Sequence, residues 1–266
     1  IEFLPGSEHA SFGEVSQTPG ECFFAASSQN AGKLRVSLGK KETIQAESFR
    51  VATSAAVKWM RTNHVNSAFV SVPSNLVSNG VPALEAIVEG SILGDYRFMT
   101  YHSPEERPAK LALMLDQGVF AGKADALARS IIIAETVCQA RDWAHEPANV
   151  INPVVLAELA DEVSKKHHLK FRVYDDKELE MMGAGAILAV GKGSATPARM
   201  IVLEYPGEDA QPDQPPVVLV GKAITFDTGG YSIKNGEGIR GMKYDKCGGI
   251  DVLATLMAAS ELHLKQ

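Results

Sequence analysis

The run Val217-Val218-Leu219-Val220, followed by Gly221-Lys222-Ala223-Ile224-Thr225-Phe226-Asp227-Thr228-Gly229-Gly230, sets the reading of the fold. Four consecutive apolar residues without polar alternation suit a strand buried on both faces, as in a parallel sheet covered by helices. A glycine-rich loop then leads towards a helix expected from about Cys247 to Leu264. Upstream, Phe171–Tyr174 and Met200–Glu204 read as two more strands. Between Asn152-Pro153, an N-cap with proline at the first helical position, and Lys166 an amphipathic helix is expected, carrying Leu156, Leu159 and Val163. This pattern is the first half of a doubly wound mixed or parallel sheet. A complete sheet of that type needs more strands than the 266 residues supply.

Working back towards the start, residues 1–123 read as a separate α/β domain. Cys22–Ala25 and Leu34–Leu38 suit strands, Ala46 to about His64 a helix carrying Phe49, Ala52, Ala56 and Trp59, Ala68–Val72 a strand, and Pro82–Phe98 a helix. Residues 124–146 form a connecting helix, with Leu127, Ile131, Ala134 and Cys138 on one face and Pro147 beyond its end. Residues 147–266 are the third segment. Nothing in the first segment carries an evident chemical motif.

Composition narrows the function. With 26 Lys and Arg against 32 Asp and Glu, the formal charge is −6, which disfavours general nucleic-acid binding through phosphate neutralisation. No apolar run approaches the ~18 residues of a membrane span, so no membrane partner is expected. Ile1-Glu2-Phe3 lacks the basic and apolar regions of a signal peptide. Three cysteines, Cys22, Cys138 and Cys247, share no CxxC spacing and suit a reducing compartment.

Several strings fall short of known chemistry. His145-Glu146-Pro147-Ala148-Asn149 opens like HExxH, but the second histidine is missing and Pro147 breaks a helix. Lys165-Lys166-His167-His168 reads as a solvated helix end. Gly191-Lys192-Gly193-Ser194 lacks P-loop spacing, and Gly183-Ala184-Gly185 lacks the third glycine of a dinucleotide fingerprint.

Chemistry concentrates after Val220. Lys222 follows the apolar strand, at the strand end where parallel sheets place ligands, and is expected to be partly desolvated, exposing a neutral amine. Asp227, Lys234 and Asp245 follow, and Gly229-Gly230 lets the backbone pass close to a neighbour. Three readings of these residues stand side by side: ordinary loop charges with Asp245 as an N-cap and Lys222 paired to Asp227, a divalent-cation site of zinc, manganese or magnesium type, and a phosphate cradle.

The string VGKAITFDTGGYSIK, followed by MKYDKCGG, resembles the metal-binding signature of the leucyl aminopeptidase (cytosol aminopeptidase) family, matching at Lys222, Asp227, Lys234 and Asp245. Weaker similarity runs from about residue 80 to 262. The resemblance implies a metalloaminopeptidase that removes N-terminal, leucine-like residues from peptides through a hydroxide held by two divalent ions (Zn, Mn or Mg). It assigns Lys222, Asp227 and Asp245 as metal ligands and Lys234 as the catalytic cation that polarises the scissile carbonyl. It also implies a bicarbonate ion in the intact site and a homo-hexameric, cytoplasmic assembly.

The sequence departs from the family in one large respect. The second signature, a run like NTDAEGR that supplies the remaining acidic ligands and an arginine, does not occur within the 266 residues. The chain is therefore expected to be a fragment of a longer aminopeptidase, inactive alone, the rival being a non-catalytic assembly or regulatory paralogue. Ile250-Asp251 also replaces the small residues usual after the glycine pair, and Asp251 lies one residue off the inward row of Ile250, Leu253 and Met257.

Overall fold

A computed structural model of the chain describes residues 1–4, 9–10, 13–14, 17–26, 32–77, 82–106, 108–207 and 215–265. It is a mixed α/β fold in two compact units, Ile1–Glu135 and Thr136–Gln266.

The first unit opens with short strands, β1 (Glu2–Leu4), β2 (His9–Ala10), β3 (Gly13–Glu14), β4 (Cys22–Ala25) and β5 (Lys33–Ser37). β1 runs parallel to β5 with Phe3 opposite Val36, β4 runs antiparallel to β5 with Cys22 opposite Val36, and β2 and β3 pair separately. Strand alternation sends Leu34 and Val36 into the core, while Arg35 points to the other face and meets Glu2 at 3.1 Å. Helix α1 (Ala46–Thr62) lays Phe49, Ala52 and Ala56 on that core at helical spacing. Phe3 and Phe49 meet edge to face with ring centroids 5.8 Å apart.

β6 (Ser67–Val70), α2 (Ser74–Val77), α3 (Ala83–Asp95), β7 (Ala112–Leu115) and α4 (Gln117–Phe120) complete the packing of this unit. β6 and β7 are parallel, and the Ser71 N–H donates to the Ile1 carbonyl at 2.8 Å, tying β1 to the end of β6. Arg50 of α1 bonds Glu89 of α3, and Arg61 bonds Asp95, so charge pairs line the seam between the two helices. Helix α5 (Ala124–His145) follows and supplies residues to both units.

In the second unit, Asn152 caps α6 (Pro153–Lys166) by accepting from the N–H groups of Val154 and Val155 at 3.0 and 3.1 Å. β8 (Lys170–Tyr174), α7 (Asp176–Met181), α8 (Gly185–Gly191), β9 (Met200–Glu204), α9 (Gly236–Ile239) and α10 (Cys247–Glu261) follow. β8 and β9 are antiparallel, with Lys170 opposite Glu204. Leu156, Ala160 and Val163 of α6 and Ile250, Leu253 and Met257 of α10 are buried in two adjoining clusters that share Trp143, Leu159 and Ile201. Asp251 is exposed, off the buried row. No helix among the described residues is long and apolar enough to cross a membrane.

Two expectations about strand formation and burial of whole segments fail. Val217–Val220 is not a strand and is not buried; Val220 is 92 % exposed. A strand exists only through its partner's hydrogen bonds, and among the described residues no strand pairs with Val217–Val220; β8 and β9 pair with each other alone. The stretch Lys165–His168 is not solvated throughout: His167 is buried, with its Nδ1 3.6 Å from Glu261. Burial pushes the His167 imidazole below the ordinary histidine range.

Candidate functional site

The loop from Gly221 to Gly241 and the 3₁₀ turn Met242–Lys246 carry the chemistry. Close backbone contact fixes their start. The Gly249 N–H donates to the Lys222 carbonyl at 2.7 Å, and a Cβ on Gly221 would sit 2.7 Å from the Gly249 Cα and nearer still to the Gly248 carbonyl oxygen. Only a residue without a side chain lets the loop touch the first turn of α10 there. That contact brings Lys222 to Asp245, Nζ to Oδ1, at 2.8 Å.

Asp227 is held from within the loop. The Gly229 N–H, with φ at +89°, donates to Oδ1 at 2.8 Å, and Lys234 Nζ donates to Oδ2 at 2.6 Å. The Lys234 hydrogen bond, assisted by the Gly229 N–H, holds the Asp227 carboxyl below the ordinary aspartate range. Lys234 Nζ also lies 3.1 Å from Met242 Sδ.

All four predicted residues therefore form two ion pairs, and the pairing differs from the expected Lys222–Asp227 contact. Lys222 is also less buried than expected, its side chain 58 % exposed, because the segment before it is itself exposed. Asp245 lies inside the 3₁₀ turn and does not cap α10; Lys246 occupies the N-cap position. Asp245 Oδ2 is buried and has no hydrogen-bond partner. Beside this group a cleft of about 550 Å³ is lined by Pro147, Asn149, Phe226, Ile239, Arg240 and Lys243.

A set of residues to which the sequence reading gave no role holds the turn. Lys246 is wholly buried and donates to the carbonyls of Lys243, Glu146 and Ala144 at 2.6, 2.7 and 3.1 Å. Lys243 Nζ donates to the His145 carbonyl at 2.9 Å, and Tyr244 Oη lies 2.8 Å from His145 Nδ1. Burial pushes the Lys246 ammonium below the ordinary lysine value and the His145 imidazole below its own. The signal lay in the spacing: side chains three apart eclipse in a 3₁₀ turn, so Lys243 and Lys246 reach the same place, the carbonyl-rich end of α5.

The donor set suits a divalent cation in part. Asp227 and Asp245 offer hard oxygen donors, and the orphaned Asp245 Oδ2 is a carboxylate oxygen buried without compensation. No group of three or more His, Cys, Asp or Glu side chains converges among the described residues.

Comparison with known proteins places these segments. Residues 138–266 match the catalytic-domain model of the cytosol aminopeptidase family, and residues 29–105 match its N-terminal-domain model. A "Probable cytosol aminopeptidase" of Geobacter sp. (strain M21) is 42 % identical over 240 residues, which cover 87 % of this chain and 47 % of that protein. One of Aquifex aeolicus (strain VF5) is 40 % identical over 234 residues, covering 85 % and 45 %. The solved structure described as "Bottromycin maturation enzyme BotP in complex with Mn" superposes with a TM-score of 0.80 at 30 % identity, over 99 % of this chain and 56 % of that one. The chain spans about half the length of the curated relatives it matches. With both models matched in order along one chain, this protein belongs to the cytosol aminopeptidase family.

Proposed function

We propose that the intact protein is a metal-dependent aminopeptidase that removes N-terminal residues, leucine-like ones preferred, from peptides. The observation that carries this reading is Asp245 Oδ2, a buried oxygen with no partner on a carboxylate whose other oxygen meets Lys222. Asp245, Asp227 and the Lys222 amine would hold two divalent ions, zinc, manganese or magnesium, with further ligands from outside this set. Bound ions of this kind supply Lewis-acid polarisation and an activated water for amide hydrolysis.

The chain's own residues do the rest. Lys222 Nζ now donates to Asp245 Oδ1, so it serves as a ligand only after losing that proton, which makes metal binding proton-coupled. Lys234 is positioned by Asp227, and its Nζ would donate to the scissile carbonyl oxygen as negative charge grows there. The neighbouring cleft, apolar at Pro147, Phe226 and Ile239, offers room for a substrate side chain. A bicarbonate ion, a homo-hexameric assembly, a cytoplasmic location and a division into segments 1–123, 124–146 and 147–266 belong to the same proposal. The manganese complex formed by the similar BotP enzyme and the names of the relatives support the metal-dependent peptidase reading.

The second reading, a non-catalytic assembly or regulatory paralogue, is favoured by the sparse acidic set among the described residues. One experiment separates the two. In the intact protein, Lys234→Ala should lower kcat on a leucyl-peptide substrate far more than it lowers metal content, and Lys222→Ala should lower metal content itself. Wild-type turnover in the first variant removes Lys234 from the reaction. Absence of any peptidase activity in the intact, metal-loaded protein selects the second reading.

A further inference from the structure

Lys246 is an unusual residue to bury. Its side chain has no exposed surface, and its three N–H groups are all spent on main-chain carbonyls, two at the end of α5 and one in its own turn. Burying an ammonium is costly unless every proton finds an acceptor, and an aliphatic side chain would fill the same space without that requirement. The acceptors show what the charge does there. Ala144 and Glu146 flank the last residue of α5, where helix carbonyls lack intrahelical partners and the helix dipole presents its negative end.

From the same 3₁₀ turn, Lys243 and Tyr244 also reach His145. Residues 243, 244 and 246 thus clamp the turn to the helix end, and Asp245 sits between them in the sequence. It meets Lys222 through Oδ1 and leaves Oδ2 without a partner.

We propose that Lys246 is a positioning residue for Asp245: it anchors the 3₁₀ turn to the end of α5 so that the Asp245 carboxylate is held, half-satisfied, where a divalent cation can take it. This rests on the reading of Asp245 as a metal ligand. Groups that orient metal ligands typically change affinity by roughly 10–100-fold when removed.

The test measures Mn²⁺ affinity of the intact protein by electron paramagnetic resonance for wild type, Lys246→Met, Asp245→Asn and the double variant, with circular dichroism as the check on folding. Lys246→Met keeps length and apolar volume but removes the donors, and should weaken Mn²⁺ binding by about 10–100-fold. The double variant should bind no more weakly than Asp245→Asn alone, because Lys246 acts through that carboxylate. Independent, additive losses would overturn the proposal, as would a Lys246→Met chain with wild-type affinity beside a weakened Asp245→Asn. Asp245→Asn indistinguishable from a wild type that binds Mn²⁺ would instead sink the ligand reading itself. An intact wild-type protein that binds no Mn²⁺ overturns both. If Lys246→Met does not fold, Lys246→Gln, which keeps an amide donor, takes its place. Failure of both to fold assigns Lys246 to domain stability and rejects the positioning role.

Discussion

Replacing Gly221 by alanine tests the contact on which the site geometry depends. The added Cβ would lie 2.7 Å from the Gly248 carbonyl carbon and from the Gly249 Cα, and closer to the Gly248 oxygen. Carbon pairs pack best at about 3.5–4.0 Å, so the methyl intrudes by close to 1 Å on three atoms at once. All three are backbone, at the first turn of α10, and cannot swing aside as a side-chain tip can. Overpacking costs about 1–3 kcal/mol, and a rigid obstacle puts this substitution at the upper end. For a unit of this size each kcal/mol is worth about 4 °C, so Tm should fall by about 10 °C. Relief requires the loop to lift from α10, breaking the 2.7 Å bond from the Gly249 N–H to the Lys222 carbonyl and drawing Lys222 from Asp245. Thermal unfolding, with amide hydrogen exchange at Gly249 as the local probe, reads both effects. Gly193→Ala, where nothing lies within 4 Å of the new methyl, is the control and should leave Tm within a degree or two. A Gly221→Ala chain that melts with wild type, its Gly249 amide equally protected, would refute the reasoning.

Asn152→Ala removes the acceptor for two N–H groups at the start of α6 and should cost about 1 kcal/mol in urea unfolding, whereas Asn152→Gly should cost only a few tenths; equal losses would argue against a capping role. The His167 imidazole has a folded-state pKa below its unfolded value near 6.5, chiefly through burial, with Glu261 opposing the shift. Above pH 6.5 neither state binds the proton. As pH falls below it the unfolded chain takes up a proton that the folded chain refuses, so stability declines until the folded pKa is reached. Denaturant unfolding from pH 7.5 to 5 should show that decline in the wild type and a flatter profile in His167→Gln; identical slopes would remove His167 as the source.

The local signals in the sequence were strong wherever a single element supplies its own stabilisation. The spacing of Phe49, Ala52 and Ala56 specifies which face of α1 is buried, and Asn152-Pro153 marks the start of α6, since caps and amphipathic faces depend on residues a few positions apart. Lys222, Asp227, Lys234 and Asp245 stood out as charges in one glycine-rich stretch, but that local pattern left three readings open and only the family resemblance assigned them roles. Their partners were not legible. Lys222 pairs across 23 residues with Asp245, and Lys246 reaches carbonyls about 100 residues away on α5, separations that no local pattern encodes.

Val217–Val220 draws the boundary most sharply. Its composition determines that it is apolar and suited to a strand, yet strand formation depends on an adjacent edge offering N–H and C=O groups, and the described residues place none there. Sequence alone decided residue chemistry, helix faces and caps, because these rest on short-range sterics and hydrogen bonds. Tertiary structure alone decided which lysine meets which carboxylate, which lysine is buried, and which apolar run stays exposed, because these rest on surfaces assembled from segments distant in the chain.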